Sequence, residues 1–200
     1  TIMLREGDHR IKNSLQLVAS LMRLQARSET SKDARNALNG AATRVGSVAN
    51  IHDALQASVG DDLVDLGGAL RLACESLQTM ASDAGKLDII AEIESLKVPA
   101  AMARALVLAV NELVVNALRH AFPEREAGSV RISLSHDDAH LRISVTDDGI
   151  GLPADYASGQ GYGMKLVNML IKQAGAVLKV DRIPGTRFTI HAPLDTKPHA

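Results

Sequence analysis

Apolar residues in the first part of the chain recur every three or four positions. Ile11, Leu15, Val18 and Met22 form one stripe, and Leu17, Leu21 and Leu24 form a second. This is the spacing of an amphipathic helix, and it predicts a helix over 1–27. Ser28 to Ser31 break the pattern, and Ser31 is placed to cap a second helix. That helix is predicted to run to about Gln56, with Leu38, Ala42, Val45, Val48, His52 and Leu55 on one face. Two long helices joined by a short polar turn make an antiparallel hairpin. One hairpin cannot bury both stripes of its first helix. A four-helix bundle in a homodimer would.

The texture changes at Gly60-Asp61-Asp62, the expected boundary between an N-terminal region, 1–60, and a C-terminal one, 61–200. Leu63-Val64 suits a short strand, and Asp65 caps a helix through about Ala84. Leu87 to Ile93 reads as a strand, and Pro99 suits the first turn of a helix running to about Ala121. Val130–Ser135 and Leu141–Val145 alternate apolar and polar residues, as half-buried strands do. A Gly-rich loop from Asp148 to Gly161 precedes a helix over about 162–173. Two last strands, about Val177–Asp181 and Arg187–Ala192, flank Pro184-Gly185. The expected class is α+β: the helical hairpin, then an α/β sandwich whose mixed sheet is covered by helices on one face.

Composition narrows the picture. With two Tyr, two Phe and no Trp, the core must be aliphatic. A formal charge of −1 gives no reason to expect nucleic acid or an anionic membrane as partner. Charge is uneven, with eight Lys/Arg against four Asp/Glu in 1–50 and three against nine in 51–100. The single cysteine, Cys74, excludes an internal disulfide and fits a reducing compartment. It is most simply a small core residue. No unbroken apolar run reaches about 18 residues and no signal peptide is seen, so no membrane segment is expected. The chain starts inside a helical pattern, which suggests a missing upstream part.

Three clusters carry chemistry. Asn111-Glu112-Leu113-Val114-Val115-Asn116-Ala117 precedes Leu118-Arg119-His120, and Glu112, Asn116 and His120 recur every four residues along one helix stripe. A carboxylate and an amide oxygen there suit Mg²⁺, directly or through water, and Arg119 suits phosphate. A solvated helix face fits the same pattern. Asp147-Asp148-Gly149-Ile150-Gly151 ends a strand, where a carboxylate can accept from a purine amino group and glycines admit close approach. A plain Asp/Gly turn reads the same way. Gly159-Gln160-Gly161-Tyr162-Gly163 opens a helix whose free N–H groups suit phosphate, or it is a hinge. It is no dinucleotide fingerprint, since Leu166 stands where the last glycine belongs, and no P-loop.

In this order the clusters resemble the ATP-binding domain shared by histidine kinases and gyrase-type ATPases. Asn111–Ala117 looks like its N box, Asp147–Gly151 its G1 box and Gly159–Gly163 its G2 box. Gly185-Thr186-Arg187-Phe188 is similar to its closing strand. Upstream, His9-Arg10-Ile11-Lys12-Asn13-Ser14-Leu15-Gln16 resembles the phosphoacceptor helix of the subgroup marked H-R-x-K-N. The resemblance implies a sensor histidine kinase core that autophosphorylates on His9 and passes the phosphoryl group to a response-regulator aspartate. It implies that Asn116 holds Mg²⁺, that Glu112 helps through water, and that Asp147 reads the adenine. Gly149, Gly151, Gly161 and Gly163 would shape the pocket and its lid. Arg119 and His120 would lie near the phosphates, and Thr186 near the adenine-side water.

The implied partners are ATP, Mg²⁺, a receiver domain and a second copy of the chain. The implied location is the cytoplasm, with a full-length protein free to be membrane-attached. Where the better-known subgroup has an acid after its histidine, this chain has Arg10. Any base must then be Asp8, Glu6 or a group from elsewhere, and Asn13 could orient a water. The link around 57–62 would let the ATP domain swing to the helices. Two other readings compete: a phosphotransfer relay that does not use ATP, and an ATPase or protein-serine kinase with the same ATP fold. Intact Asn116 and Asp147 weigh against the first, and His9 in its H-R-x-K-N context weighs against the second.

Overall fold

Small residues decide how the first two helices meet. The computed structural model describes residues 2–32, 34–35, 37–43, 45–46, 63–84, 86–123, 127–153 and 162–194, with the backbone alone for 2–12, 80, 82–84, 86 and 162. The chain divides into two compact units, Thr1–Ala57 and Ser58–Ala200. In the first, α1 (Ile2–Ser28) runs as the periodicity predicts. Its buried positions are Ala19 and Ala26, with Leu15 and Met22 half-buried in phase with them. Val18, expected on that stripe, is 40% exposed instead. Alanines permit a close helix contact, so the contact line passes through them and leaves Val18 at its margin.

Ser31 caps the second helix, α2, whose helical residues are 32, 34–35, 37–43 and 45–46. The Ala34 N–H donates to Ser31 Oγ at 3.3 Å, and the Arg35 N–H donates to the Ser31 carbonyl at 3.0 Å. Ala42 is fully buried, and Leu38 and Val45 are half-buried, so the described part of the expected face points inward. Val48, His52 and Leu55, and the expected boundary at 60–62, lie outside the described residues. Leu17, Leu21 and Leu24 are 61%, 55% and 63% exposed. The hairpin therefore buries one stripe and leaves the other open.

The second unit begins with β1 (Leu63–Asp65), antiparallel to β3 (Lys97–Pro99). The sequence did not announce β3, because three residues are too few to show alternation. Asp65 Oδ1 accepts from the Gly68 N–H at 3.0 Å and caps α3 (Leu66–Ala84), as expected. Pro99 stands at the N-cap of α4 (Ala100–His120), one residue before the helical turn predicted for it.

The main sheet has the order β2 (Lys86–Ile93), β4 (Ala127–His136), β5 (His140–Asp147), β7 (Gly185–Pro193), β6 (Val177–Ile183). The β2–β4 pair is parallel and the rest are antiparallel, so the sheet is mixed as expected. Val130, Ile132, Leu134, Leu141, Ile143, Val145, Phe188 and Ile190 are buried. They face α3, α4 and α5 (Tyr162–Gln173). On α4 an apolar stretch is long enough to cross a membrane, but 67% of that window is buried in the protein. This helix is the centre of the core, packed against α3, α5 and the sheet.

Candidate functional site

Strand alternation carries a carboxylate onto the apolar side of the sheet. Leu141, Ile143 and Val145 of β5 face the helices, and the next residue in phase is Asp147, 6% exposed. On β7 the buried Phe188 and Ile190 are in phase with Thr186, 3% exposed. The two polar residues are register partners. Asp147 Oδ1 accepts from the Gly149 N–H at 3.0 Å and from the Thr186 N–H at 3.2 Å, and the Thr186 side chain adds a further bond. Burial raises the Asp147 pKa, and these bonds oppose the rise without cancelling it. The result is a fixed, dehydrated acceptor at a strand end, which is not the plain turn that the same residues could have formed.

The turn beyond Asp147 is tied down on three sides. Asp148 accepts from the Ser129 N–H at 2.9 Å and the Ser129 hydroxyl at 3.1 Å, and its own N–H donates to the Ser129 carbonyl at 3.3 Å. The Ile150 N–H donates to the Ala121 carbonyl at 2.9 Å, past the end of α4. The third tie is β7, where Gly185 adopts φ +96° and an added Cβ would lie 2.0 Å from the Asp147 carbonyl oxygen. Gly149 is equally constrained, since a Cβ there would lie 2.3 Å from the Ala121 carbonyl oxygen. At Gly149 the close approach anticipated for a ligand is an approach of the protein to itself. Gly151 lies against the Gly185 carbonyl. The Asp148–Ser129 clamp had no signal in the sequence, because nothing local links residues 19 apart.

From α4 come Glu112, 3% exposed, and the half-buried Asn116, whereas Arg119 and His120 are exposed at the helix end. Buried Glu112 removes the reading of this stripe as a solvated face. Asn116 Nδ2 donates to Met164 Sδ of α5 at 3.9 Å. A Cβ on Gly163 would lie 3.3 Å from Asn116 Oδ1 and 3.4 Å from Glu112 Oε2, so both oxygens border the N-terminal turn of α5. An amide and a carboxylate oxygen around one such point fit Mg²⁺, which takes few protein ligands and fills its shell with water and phosphate. Among the described residues no group of three His, Cys, Asp or Glu forms a metal cage. Gly161 and the rest of the loop before α5 lie outside the described residues.

The structure therefore groups Asp147, Gly149, Gly151 and Thr186 at one end of the sheet, and Glu112, Asn116 and Gly163 where α4 meets the first turn of α5, with the end of α4 tied to the first group through Ala121. His9 and Asp8 lie on α1 in the other unit, where the backbone alone is described, and Asn13 is exposed on the same helix. Cys74 is buried, and desolvation ahead of its acidic neighbour Glu75 pushes its thiol up to about 11. It is an inert core residue, as expected.

The chain is similar to known proteins along most of its length. Residues 6–81 match the histidine kinase model HisKA_2, and residues 101–196 match the model for histidine kinase-, DNA gyrase B- and HSP90-like ATPases. The sensor histidine kinase PdtaS of Mycobacterium tuberculosis is 36% identical over 171 residues, which is 84% of this chain and 34% of that protein. Blue-light-activated histidine kinase 2 of Erythrobacter litoralis is 29% identical over 199 residues, 96% of this chain and 57% of that protein. The solved histidine kinase domain of Erythrobacter litoralis EL346 superposes with a TM-score of 0.69 at 29% identity, covering 96% of this chain and 90% of that one. The chain spans about a third of the length of PdtaS.

Proposed function

The chain belongs to the histidine kinases, and from that premise we propose that it is the catalytic core of a sensor kinase that phosphorylates its own His9 from ATP. The observation that supports the reading is a pair of polar clusters flanking α4: Asp147 with Gly149 and Thr186 at the end of β5 and β7, and Asn116 with Glu112 beside Gly163 at the first turn of α5. Asp147 accepts the adenine amino group, held for it by Gly149 and Thr186. Asn116 and Glu112 would hold Mg²⁺, whose charge would neutralise the transferring phosphate. The turn of α5 at Gly163, with Arg119 and His120, would serve the phosphate end. His9 contributes a neutral imidazole nitrogen, nucleophilic near neutral pH. The bond from the terminal phosphorus to the bridging oxygen breaks, a phosphorus–nitrogen bond forms, and ADP leaves.

The regions fall to 1–60 for dimerisation and phosphotransfer and to 61–200 for ATP binding. Homodimerisation covers the open Leu17/Leu21/Leu24 stripe. The next acceptor is the aspartate of a response-regulator receiver domain, and the location is the cytoplasm, whether or not the whole protein is tethered to a membrane. A relay that does not use ATP has no need of Asn116 and Asp147. The experiment separates these roles: Asn116→Ala abolishes labelling from γ-labelled ATP yet leaves the chain able to accept phosphoryl groups from a phosphorylated regulator. Normal labelling of that variant would overturn the metal assignment.

A further inference from the structure

The uncovered face of the sheet carries a cluster of charges that the ATP site does not use. Arg142 of β5 stands directly opposite His191 of β7. His140 of β5 and Lys179 of β6 are diagonal neighbours of His191 on the same face, at roughly 7–8 Å by sheet geometry. In the adjoining row Ser144 pairs with Thr189 and sets two hydroxyls beside the cations. Arg142, Ser144, Lys179, Thr189 and His191 line a shallow groove of about 730 Å³, on the scale of small-ligand sites, roughly 300–1,000 Å³.

One carboxylate, Asp181, lines the groove, and the others nearby lie against neighbouring groups. Glu92 pairs with Arg131. Asp137 accepts from the Ala139 and His140 backbone N–H groups, with His140 Nδ1 at 3.9 Å. Glu94 lies 3.9 Å from His136 Nε2. Asp181, on the edge strand, is the register partner of Arg187. Among the described residues neither Arg142 nor Lys179 has a carboxylate within ion-pair distance. Partial burial first, and then Arg142, Lys179 and His140, hold the His191 imidazole below its ordinary value. Arg142 on β5 and Lys179 on β6 flank β7 from either side, so two like charges share one face of the sheet. The crowding is not overflow from a basic protein, because the formal charge of the chain is −1.

We propose that Arg142, Lys179 and His191, with the Ser144 and Thr189 hydroxyls, form a binding site for a phosphate group of a small phosphorylated molecule. A guanidinium fork, an ammonium and two hydroxyls match a tetrahedral oxyanion bearing more than one charge better than they match a lone carboxylate. The site is distinct from the ATP pocket. Arg142 lies five residues before Asp147 on β5 and on the opposite face, about 16 Å away by strand rise.

The test tracks the imidazole signals of the 200-residue chain by NMR while sodium pyrophosphate is added at constant ionic strength, with His191 assigned by loss of its signal in His191→Gln. A saturable shift at His191 is expected, with the midpoint of its titration raised. The double variant Arg142→Ser/Lys179→Ser should bind pyrophosphate at least about tenfold more weakly, while its melting temperature holds or rises because repulsion is relieved. No saturable shift in the wild type overturns the proposal. So does a shift that sodium chloride reproduces at equal ionic strength, or one that a tetraglutamate peptide matches. A lower melting temperature in the double variant would assign the cations a structural role and overturn it as well.

Discussion

Asp147 shows how a polar side chain can take a position that packing alone would give to an apolar one. It sits in the apolar phase of β5, where a leucine or valine would pack, and its burial raises its pKa above that of an unfolded aspartate. A carboxyl whose folded value is raised favours the folded state most when protonated. Its contribution is therefore greatest below the ordinary carboxylate value and declines as pH rises towards the raised value. Asp147→Asn keeps an acceptor for the Gly149 and Thr186 N–H groups but carries no charge. The stability of that variant relative to wild type should thus grow between pH 4 and 7 in urea unfolding, while its ATP affinity falls at least about tenfold, the size of a lost hydrogen bond to a charged group. A relative stability that falls over that range would contradict the assigned environment. The sequence exposed Asp147 as a candidate through its neighbours, since D-x-G-x-G after an alternating strand is a local signal. It could not expose Ser129, whose bonds to Asp148 depend on how β4 and β5 align.

Elements with strong periodicity were legible. The sequence placed α1, α3, α4 and α5 within a residue or two of their ends, because apolar stripes, the polar break from Ser28 and the Asp65 cap mark them locally. It missed β3, which exists only as the partner of β1, and it assigned Val18 to a stripe that the buried alanines displaced. The parallel β2–β4 pairing was equally hidden, since register is a property of two strands and not of one. The entry into β7 is an element whose geometry the site cannot do without. Gly185→Ala would impose a strained positive φ together with a contact on the Asp147 carbonyl. It should destabilise the unit by roughly 2 kcal/mol or more and weaken ATP binding in proportion as β7 shifts. Unchanged stability in denaturant would show that the strand entry is more pliable than its packing implies.

At the scale of the whole molecule the open stripe Leu17/Leu21/Leu24 is the feature a lone chain leaves unexplained. A second copy that covers it makes the protein a dimer, so Leu21→Glu should convert it to a monomer in sedimentation at micromolar concentration, with helix content retained. A wild-type chain that sediments as a monomer would refute the bundle. The two units divide the proposed reaction between them: one holds ATP through Asn116, Glu112 and Asp147, and the other carries the acceptor. The most direct measurement joins them. Incubated with γ-labelled ATP and Mg²⁺, the wild-type chain should acquire label that is acid-labile and base-stable, as a phosphoramidate is, and His9→Ala should acquire none. No label on the wild type, or label that survives His9→Ala, would contradict the account.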